Sequence, residues 1–342
     1  MDIERICGST DDALELRLAL IADLRRRIGF DAYAFLLTDP ETSVGAAPLA
    51  DVPDPSDLPR LIRLRYLSTA NRWTGLASGQ VVRVSEVDGG APAAGASWPG
   101  LLRSYGVGDV ASMVFRDRFG CWGFLDLWRL GVDARFSDPD VAALASMARP
   151  VTAALRRCQA ATFRSGSARA PRVGPIVLLL SAELQVIGQT QETEEYLRQL
   201  IAPPAGHPPI PASAYNVGAQ LLAMEAGIDS NPPVARVHLA DGLWLTLRAA
   251  LLNATATAAD RRIAVTIEEA TPVERVSLFG RASGLSSRER NLLNRLVAGS
   301  DTREIAAGMF LSEHTVQDYL KSIFAKTSVH SRRTLISKAL GT

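Results

Sequence analysis

Apolar positions along this chain of 342 residues fall into three successive rhythms. Up to about residue 158, helical and strand periods alternate. Asp11 to Ile28 reads as a helix with Leu14, Leu18 and Ile21 on a common face. Asp31 to Leu37 reads as a strand, Pro40 to Thr42 as a turn, and Ser43 to Leu49 as the partner strand. A Pro-rich stretch then precedes a helix containing Leu61, Ile62, Leu64, Arg65 and Leu67, with Trp73 in the loop beyond it. Val81 to Val84 is a further strand, and 88–100 is a loop of small residues. Val110 to Phe115 and Cys121 to Trp128 form a hairpin. Phe136 and Ser137 open a long helix with Val141, Leu144, Ala148, Val151 and Leu155 inward, which Pro150 should kink or split.

Small residues, Pro and Arg from Ala160 to Val173 mark a linker. A strand over Pro175 to Leu180 and a partner over Leu184 to Gly188 follow, then a helix over Glu192 to Ile201 and a loop over 202–213. A helix over Ala214 to Ala226 leads to strands at Arg236 to Leu239 and Leu243 to Leu252, which flank the turn pair Asp241-Gly242. Ile263 to Glu268 closes this sheet. Pro272 to Arg281 is a connecting helix with Val276 and Phe279. It either carries a change into the tail or serves as a spacer.

The third rhythm is helical and heavily capped. Ser286 with Glu289, and Asp301 with Glu304, have capping-box spacing. Gly299 stands where a left-handed cap belongs. Ser312 opens a helix running to about Lys326, and Ser331 opens a last one with Leu335, Ile336, Ala339 and Leu340 inward. In the helix after Ser312, Val316, Leu320, Ile323 and Phe324 share one side. The other side carries His314, Asp318, Lys321 and Ser322, flanked by Thr315 and Gln317. A polar helix face of this kind suits the major groove, although a solvated bundle has the same periodicity.

Charge adds to this picture. The whole chain is +1, whereas the stretch from Gly284 onward has nine Lys/Arg against five Asp/Glu, so +4. That is a modest nucleic-acid footprint. With 47% hydrophobic residues the chain can build real cores. No apolar run reaches bilayer length, so no membrane association is expected. The start lacks a basic leader, and three scattered cysteines fit a reducing compartment, so a cytoplasmic location is expected.

The tail from Leu285 to Leu340 resembles the LuxR-type (GerE-like) helix-turn-helix domain. The resemblance rests on Ser286 to Glu289, Gly299, Glu304 to Ala306, Ser312 to Val316 and the pair Ser331-Arg332. It implies that Thr302 to Lys321 is the helix-turn-helix and Glu313 to Lys326 the recognition helix. DNA contacts are then expected from Thr302, Arg303, Ser312, His314, Thr315, Gln317, Asp318, Lys321, Ser322 and Arg332. The last helix, through Leu335, Ile336 and Ala339, would pair two copies on a two-fold promoter site. The chain departs from the family at Gln317, often Lys, and Tyr319, often His, which lowers the cation count. Asp318 either accepts from a cytosine amine or pairs locally with Lys321 or His314.

Residues 10–158 resemble a GAF domain through the segments around GFLDLWR and FSDPD, and 174–270 resemble a PAS domain by element order. The expected whole is multidomain. Two α+β antiparallel-sheet sensory domains precede a connecting helix, 271–284, and an all-α four-helix helix-turn-helix domain, 285–342. The expected function is that of a homodimeric transcription regulator acting with RNA polymerase. A protein-interaction adaptor using the same tail is the alternative.

No nucleotide-binding, hydrolase or metalloprotease motif is present, so no enzyme activity, metal or cofactor is expected. Asp31 and Asp39 do not make a phospho-acceptor pattern. Tyr33, Trp73, Trp98, Trp122 and Trp128 are candidates to line a small-molecule pocket, or ordinary core residues. Cys121 is a redox thiol or a small core residue, and His238 a lone candidate haem ligand.

Overall fold

The computed structural model describes residues 3–69, 71–87, 97–163, 176–190, 193, 211–239, 242–252 and 261–342. Most of the 88–100 loop and of the 160–173 linker lie outside them. So do the helix expected over Glu192 to Ile201 (Thr193 apart), the loop from 202 to 210, and Asp241 of the expected turn.

Strands β1 (Ala32–Thr38), β2 (Gly45–Asp51), β3 (Val81–Arg83), β4 (Val107–Asp117) and β5 (Gly120–Leu130) build the first sheet. Its order is β2-β1-β5-β4-β3, antiparallel throughout. Strands β6 (Ile176–Ser181), β7 (Val186–Gln189), β8 (Val234–His238), β9 (Trp244–Leu251) and β10 (Arg262–Glu269) build the second. Its order, β7-β6-β10-β9-β8, is also antiparallel and repeats the first strand for strand. The strands at corresponding places are nonetheless buried differently. β4 and β5 are buried along nearly their whole length, with helices on both faces. β6 and β10 alternate buried with half-buried positions, the pattern of one covered face.

One face of the first sheet lies under the helices Ala13–Arg27 and Asp138–Ala161, with Phe35, Phe115 and Leu125 between. The other lies under Leu58–Leu67 and Trp98–Ser104, over Val110 and Trp128. The expected inner face of the first helix is corrected. Leu14 and Leu18 are 50% and 47% exposed, and Leu16, Leu20 and Leu24 are buried with Ile21. Arg17 explains the choice: its guanidinium donates to the carbonyls of Phe35 and Ala47, at 3.0 and 2.7 Å, so its side must face the sheet. The helix Asp138–Ala161 is not split at Pro150. Met147, Ala148, Val151 and Thr152 are buried around the proline and hold both halves on the sheet.

The helix Ala212–Glu225 lies between the two units. It carries small or apolar residues around its circumference and is buried from Ala212 to Leu221, as a helix without a polar face must be. It packs on Leu58–Leu67 and β2 on one side and on β9 and β10 on the other.

The same junction holds a buried ion pair. Asp39, in the turn between β1 and β2, is fully buried and accepts from Arg236 Nε at 2.5 Å, Arg236 Nη2 at 2.7 Å and the Arg236 backbone N–H at 3.0 Å. Burial opposes the Arg236 charge, but Asp39 and then Glu41 outweigh it and raise the guanidinium pKa. Thr42 adds a hydroxyl bond to the Val234 carbonyl at 2.6 Å. The hairpin tip of one unit is thereby fixed to the edge strand of the other, and both edges are covered. No helix among the described residues is long and apolar enough to cross a membrane.

Asp39→Ala strands a buried guanidinium and is expected to cost about 3–5 kcal/mol, measured by urea unfolding of the full chain. The double variant Asp39→Leu/Arg236→Met should recover most of that loss.

Candidate nucleic-acid interface

Four capped helices make the tail: Ser287–Val297, Thr302–Met309, Glu313–Thr327 and Arg332–Leu340. Both predicted capping boxes form. Ser286 N–H donates to Glu289 at 2.7 Å, and Asp301 N–H to Glu304 at 2.9 Å. Ser312 and Ser331 accept the N–H of Thr315 and Thr334, each at 3.1 Å. Gly299 has φ +93°, as a C-terminal cap requires. The turn into the third helix passes through Phe310 at φ +55°, a left-handed conformation that a bulky side chain rarely adopts. Its ring is 95% exposed.

Leu292, Leu296, Ile305, Val316, Leu320 and Ile323 form the core of this bundle. Glu289 fixes the third helix in rotation. Beyond its capping role, its carboxylate accepts from Lys326 Nζ and Ser322 Oγ, each at 2.7 Å. The side chain is buried, which by itself would raise its pKa; Lys326, Ser322 and Ser286 together bring it down to about 2. The sequence offered no signal for this link, because residues 37 apart meet only through packing of the first helix on the third.

Of the expected contact residues, Arg303, Ser312, His314, Gln317, Asp318 and Lys321 are exposed, with the third helix turning its polar side outward. The remaining four are half-buried and engaged internally. Ser322 donates to Glu289. Thr315 Oγ1 lies 2.9 Å from Ser312 Oγ. Arg332 donates to the Thr302 hydroxyl, tying the last helix to the start of the second. On the open face Asp318 lies 3.2 Å from Lys321 Nζ and 3.5 Å from His314 Nε2. These pairs are exposed, weak and free to rearrange.

The last helix faces inward in the single chain. Leu335 and Ala339 are fully buried, and only Ile336 of the expected pairing residues is part-exposed. The helix spends its apolar side on the bundle and on the connecting helix Pro272–Ala282. That connecting helix is no bare spacer. Val276, Leu278, Phe279 and Ala282 are buried in a cluster that runs from the first sheet into the tail. Arg281 donates to the Phe119 carbonyl at 3.0 Å and lies 3.5 Å from Glu41.

The aromatic candidates separate. Trp73 lines a cavity on the Leu58–Leu67 face of the first sheet. Tyr33 does not, because it points to the opposite face and meets Phe30 edge-on at 6.0 Å. Trp122 is buried elsewhere, its N–H spent on Asp117 at 3.0 Å. Cys121 is buried in β5. His238 Nε2 accepts the Gly242 N–H at 3.1 Å.

Glu289 sets a pH response. Its folded pKa is depressed, so its contribution is complete above the ordinary carboxylate range and is lost as pH falls toward about 2. Acid unfolding followed by circular dichroism should therefore shift to higher pH in Glu289→Gln. At neutral pH that variant should lose about 2 kcal/mol.

Residues 283–339 match the family description "Bacterial regulatory proteins, luxR family" (GerE). The "Probable HTH-type transcriptional regulator GfsR" of Streptomyces halstedii is 44% identical over 57 residues, which is 17% of this chain and 24% of that protein. The "CsgBAC operon transcriptional regulatory protein" of Escherichia coli is 40% identical over 55 residues, 16% of this chain and 26% of that protein. The chain thus spans about a quarter of the length of these relatives. The solved structure of Escherichia coli SdiA aligns over 99% of this chain and 93% of its own, at 10% identity and a TM-score of 0.34, a likeness too weak to carry an argument. Sequence match and capped geometry agree over the last sixth of the chain: this C-terminal unit is a helix-turn-helix domain of the luxR family.

Proposed function

We propose that the chain is a DNA-binding transcriptional regulator and not an enzyme. The observation that carries this is the outward polar face of Glu313–Thr327, within a unit that matches the luxR family. Arg303, His314, Gln317, Asp318 and Lys321 meet the DNA, with Lys321 leaving Asp318 for a base or phosphate. The exposed helix N-terminus at Ser312 receives phosphate oxygens. Ser322 and Arg332 act from behind by holding the recognition helix and the last helix in place. Two copies bind a two-fold promoter site, with RNA polymerase as the downstream partner.

The two units ahead of the tail are sensory, of GAF-like and PAS-like kind over 10–158 and 174–270, with 271–284 connecting them to the 285–342 domain. Their shared strand order and the buried connecting helix support this reading. Because Leu335 and Ala339 are occupied within the chain, pairing through the last helix requires that helix to leave Pro272–Ala282. A change in the sensory units that loosens the connecting helix would favour the paired state.

An adaptor that engages another regulator through the same tail is the second reading. It is favoured by the acid at Asp318 and the missing cation at Gln317.

Selection from randomised duplex DNA by the full chain should enrich a two-fold symmetric sequence. On that sequence Lys321→Ala should weaken binding by about 1–3 kcal/mol and lower the salt slope by about one. Ser322→Ala should change affinity far less. Failure to enrich any sequence would favour the adaptor.

A further inference from the structure

The cavity that Trp73 lines lies between the first sheet and the helices Leu58–Leu67 and Ala212–Glu225, and has a volume of about 160 Å³. Its walls are mainly aromatic and aliphatic, including Ile62, Trp73, Trp98, Phe124 and Trp128. Trp73 stacks on Phe124 with ring centres 3.5 Å apart.

Two charged groups line it, and they cancel. The Arg65 guanidinium lies 4.1 Å from the Trp73 ring centre and 4.3 Å from that of Trp98. Both Arg65 and Asp126 are buried, and Arg65 Nε donates to Asp126 at 3.2 Å. Arg65 also reaches the Asn71 carbonyl at 2.9 Å, and Trp73 N–H donates to Asp126 at 3.4 Å.

Three residues of this lining also carry a buried polar atom without a partner: the indole N–H of Trp98, the indole N–H of Trp128 and the Oδ1 of Asn216. The Asn216 amide N–H₂ donates to the Ala212 carbonyl at 2.9 Å, which leaves its oxygen unspent. All three residues are almost completely buried. Buried donors and acceptors are costly when left unmade, so such a group signals a missing partner. Here three fall around one cavity.

We propose that this cavity binds a small, uncharged, single-ring ligand that takes the Trp98 and Trp128 N–H groups with acceptor atoms and gives a donor to Asn216. The size follows from volume, since a cavity of about 150 Å³ accommodates one benzene ring. The flat shape follows from the aromatic walls. Neutrality follows from the Arg65–Asp126 balance, because an added ion would be buried without a counter-charge. Asn216 stands on the helix between the units, so the ligand joins the first sheet to that helix. This deepens the sensory reading and rests on it for the consequence, not for the binding.

Benzamide, benzoate and ethylbenzene are matched probes: a neutral ring with acceptor and donor, a charged ring, and a ring without polar groups. The full chain labelled with ¹⁵N is titrated with each, and the indole N–H resonances of its five tryptophans are followed. The Trp98 and Trp128 signals are assigned by their loss in Trp98→Phe and Trp128→Phe. Benzamide is expected to shift those two signals saturably, with a Kd on the order of 0.1–1 mM. Each Phe variant keeps a ring but no donor, and should weaken benzamide about five- to tenfold. Asn216→Leu provides an independent loss should either Phe variant fail to fold. Ethylbenzene should bind more weakly and benzoate not measurably.

Three results would overturn the proposal: benzoate binding as tightly as benzamide, affinity unchanged in the folded variants, or no saturable shift with any probe. The last would mean that water alone satisfies the three groups. DNA binding, measured separately with and without benzamide, tests the sensory reading on its own: binding without an effect on DNA would sink that reading and leave the site.

Discussion

The pair between Asp39 and Arg236 is the constraint on which the arrangement of the body depends. A charge at a junction between two sheets is stable only if its partner is placed within hydrogen-bond reach and its remaining groups are also engaged. Asp39 meets that condition with three bonds from a single residue, two from the guanidinium and one from its backbone. The geometry admits one seating of the β1–β2 turn on β8. Glu41, two residues on, extends the junction by accepting from Arg236 at 2.9 Å and from Ser277 at 3.3 Å. The hairpin tip therefore touches the second unit and the connecting helix together.

Apolar packing completes what the ion pair orients. Phe163 lies against Trp244 with ring centres 5.3 Å apart and meets Phe279 edge-on at 5.4 Å. The long helix of the first unit, the second sheet and the connecting helix converge at this contact. A fully buried side chain of this size contributes about 1.5–3 kcal/mol. The tail is consequently docked on the body rather than tethered to it.

Within the tail, the division of labour is spatial. Caps and apolar residues set helix boundaries, Glu289 fixes how the third helix is rotated, and the outward side is left polar. Groups that face inward cannot also face DNA. Ser322 stands on the third helix and Arg332 at the start of the last one, and both hold the bundle together. The loose Asp318–Lys321 pair differs: exposed on both sides, it would lose little if the lysine turned to another anion.

Local features were legible along the chain. Ser286, Asp301, Ser312 and Ser331 announced the helix starts because a cap acts over three residues. Alternating and continuous apolar runs gave the described strands to within a few residues, since side-chain period is a local property. Tertiary structure decided whatever depends on which faces meet. Leu14 and Leu18 have a helical spacing as good as Leu16 and Leu20, and only Arg17 reaching two sheet carbonyls breaks the tie. Tyr33 and Trp73 were equal candidates until one fell on each side of the first sheet. Leu335 and Ala339 have a spacing that suits either the bundle or a second copy, and in the single chain the connecting helix and the bundle cover them. The shared strand order of the two sheets left no trace in residue pattern: β4 and β5 are buried along nearly their whole length, whereas β6 and β10 alternate. Spacing along a chain fixes periodicity; the choice between two equivalent faces is made by contacts from residues far away in sequence.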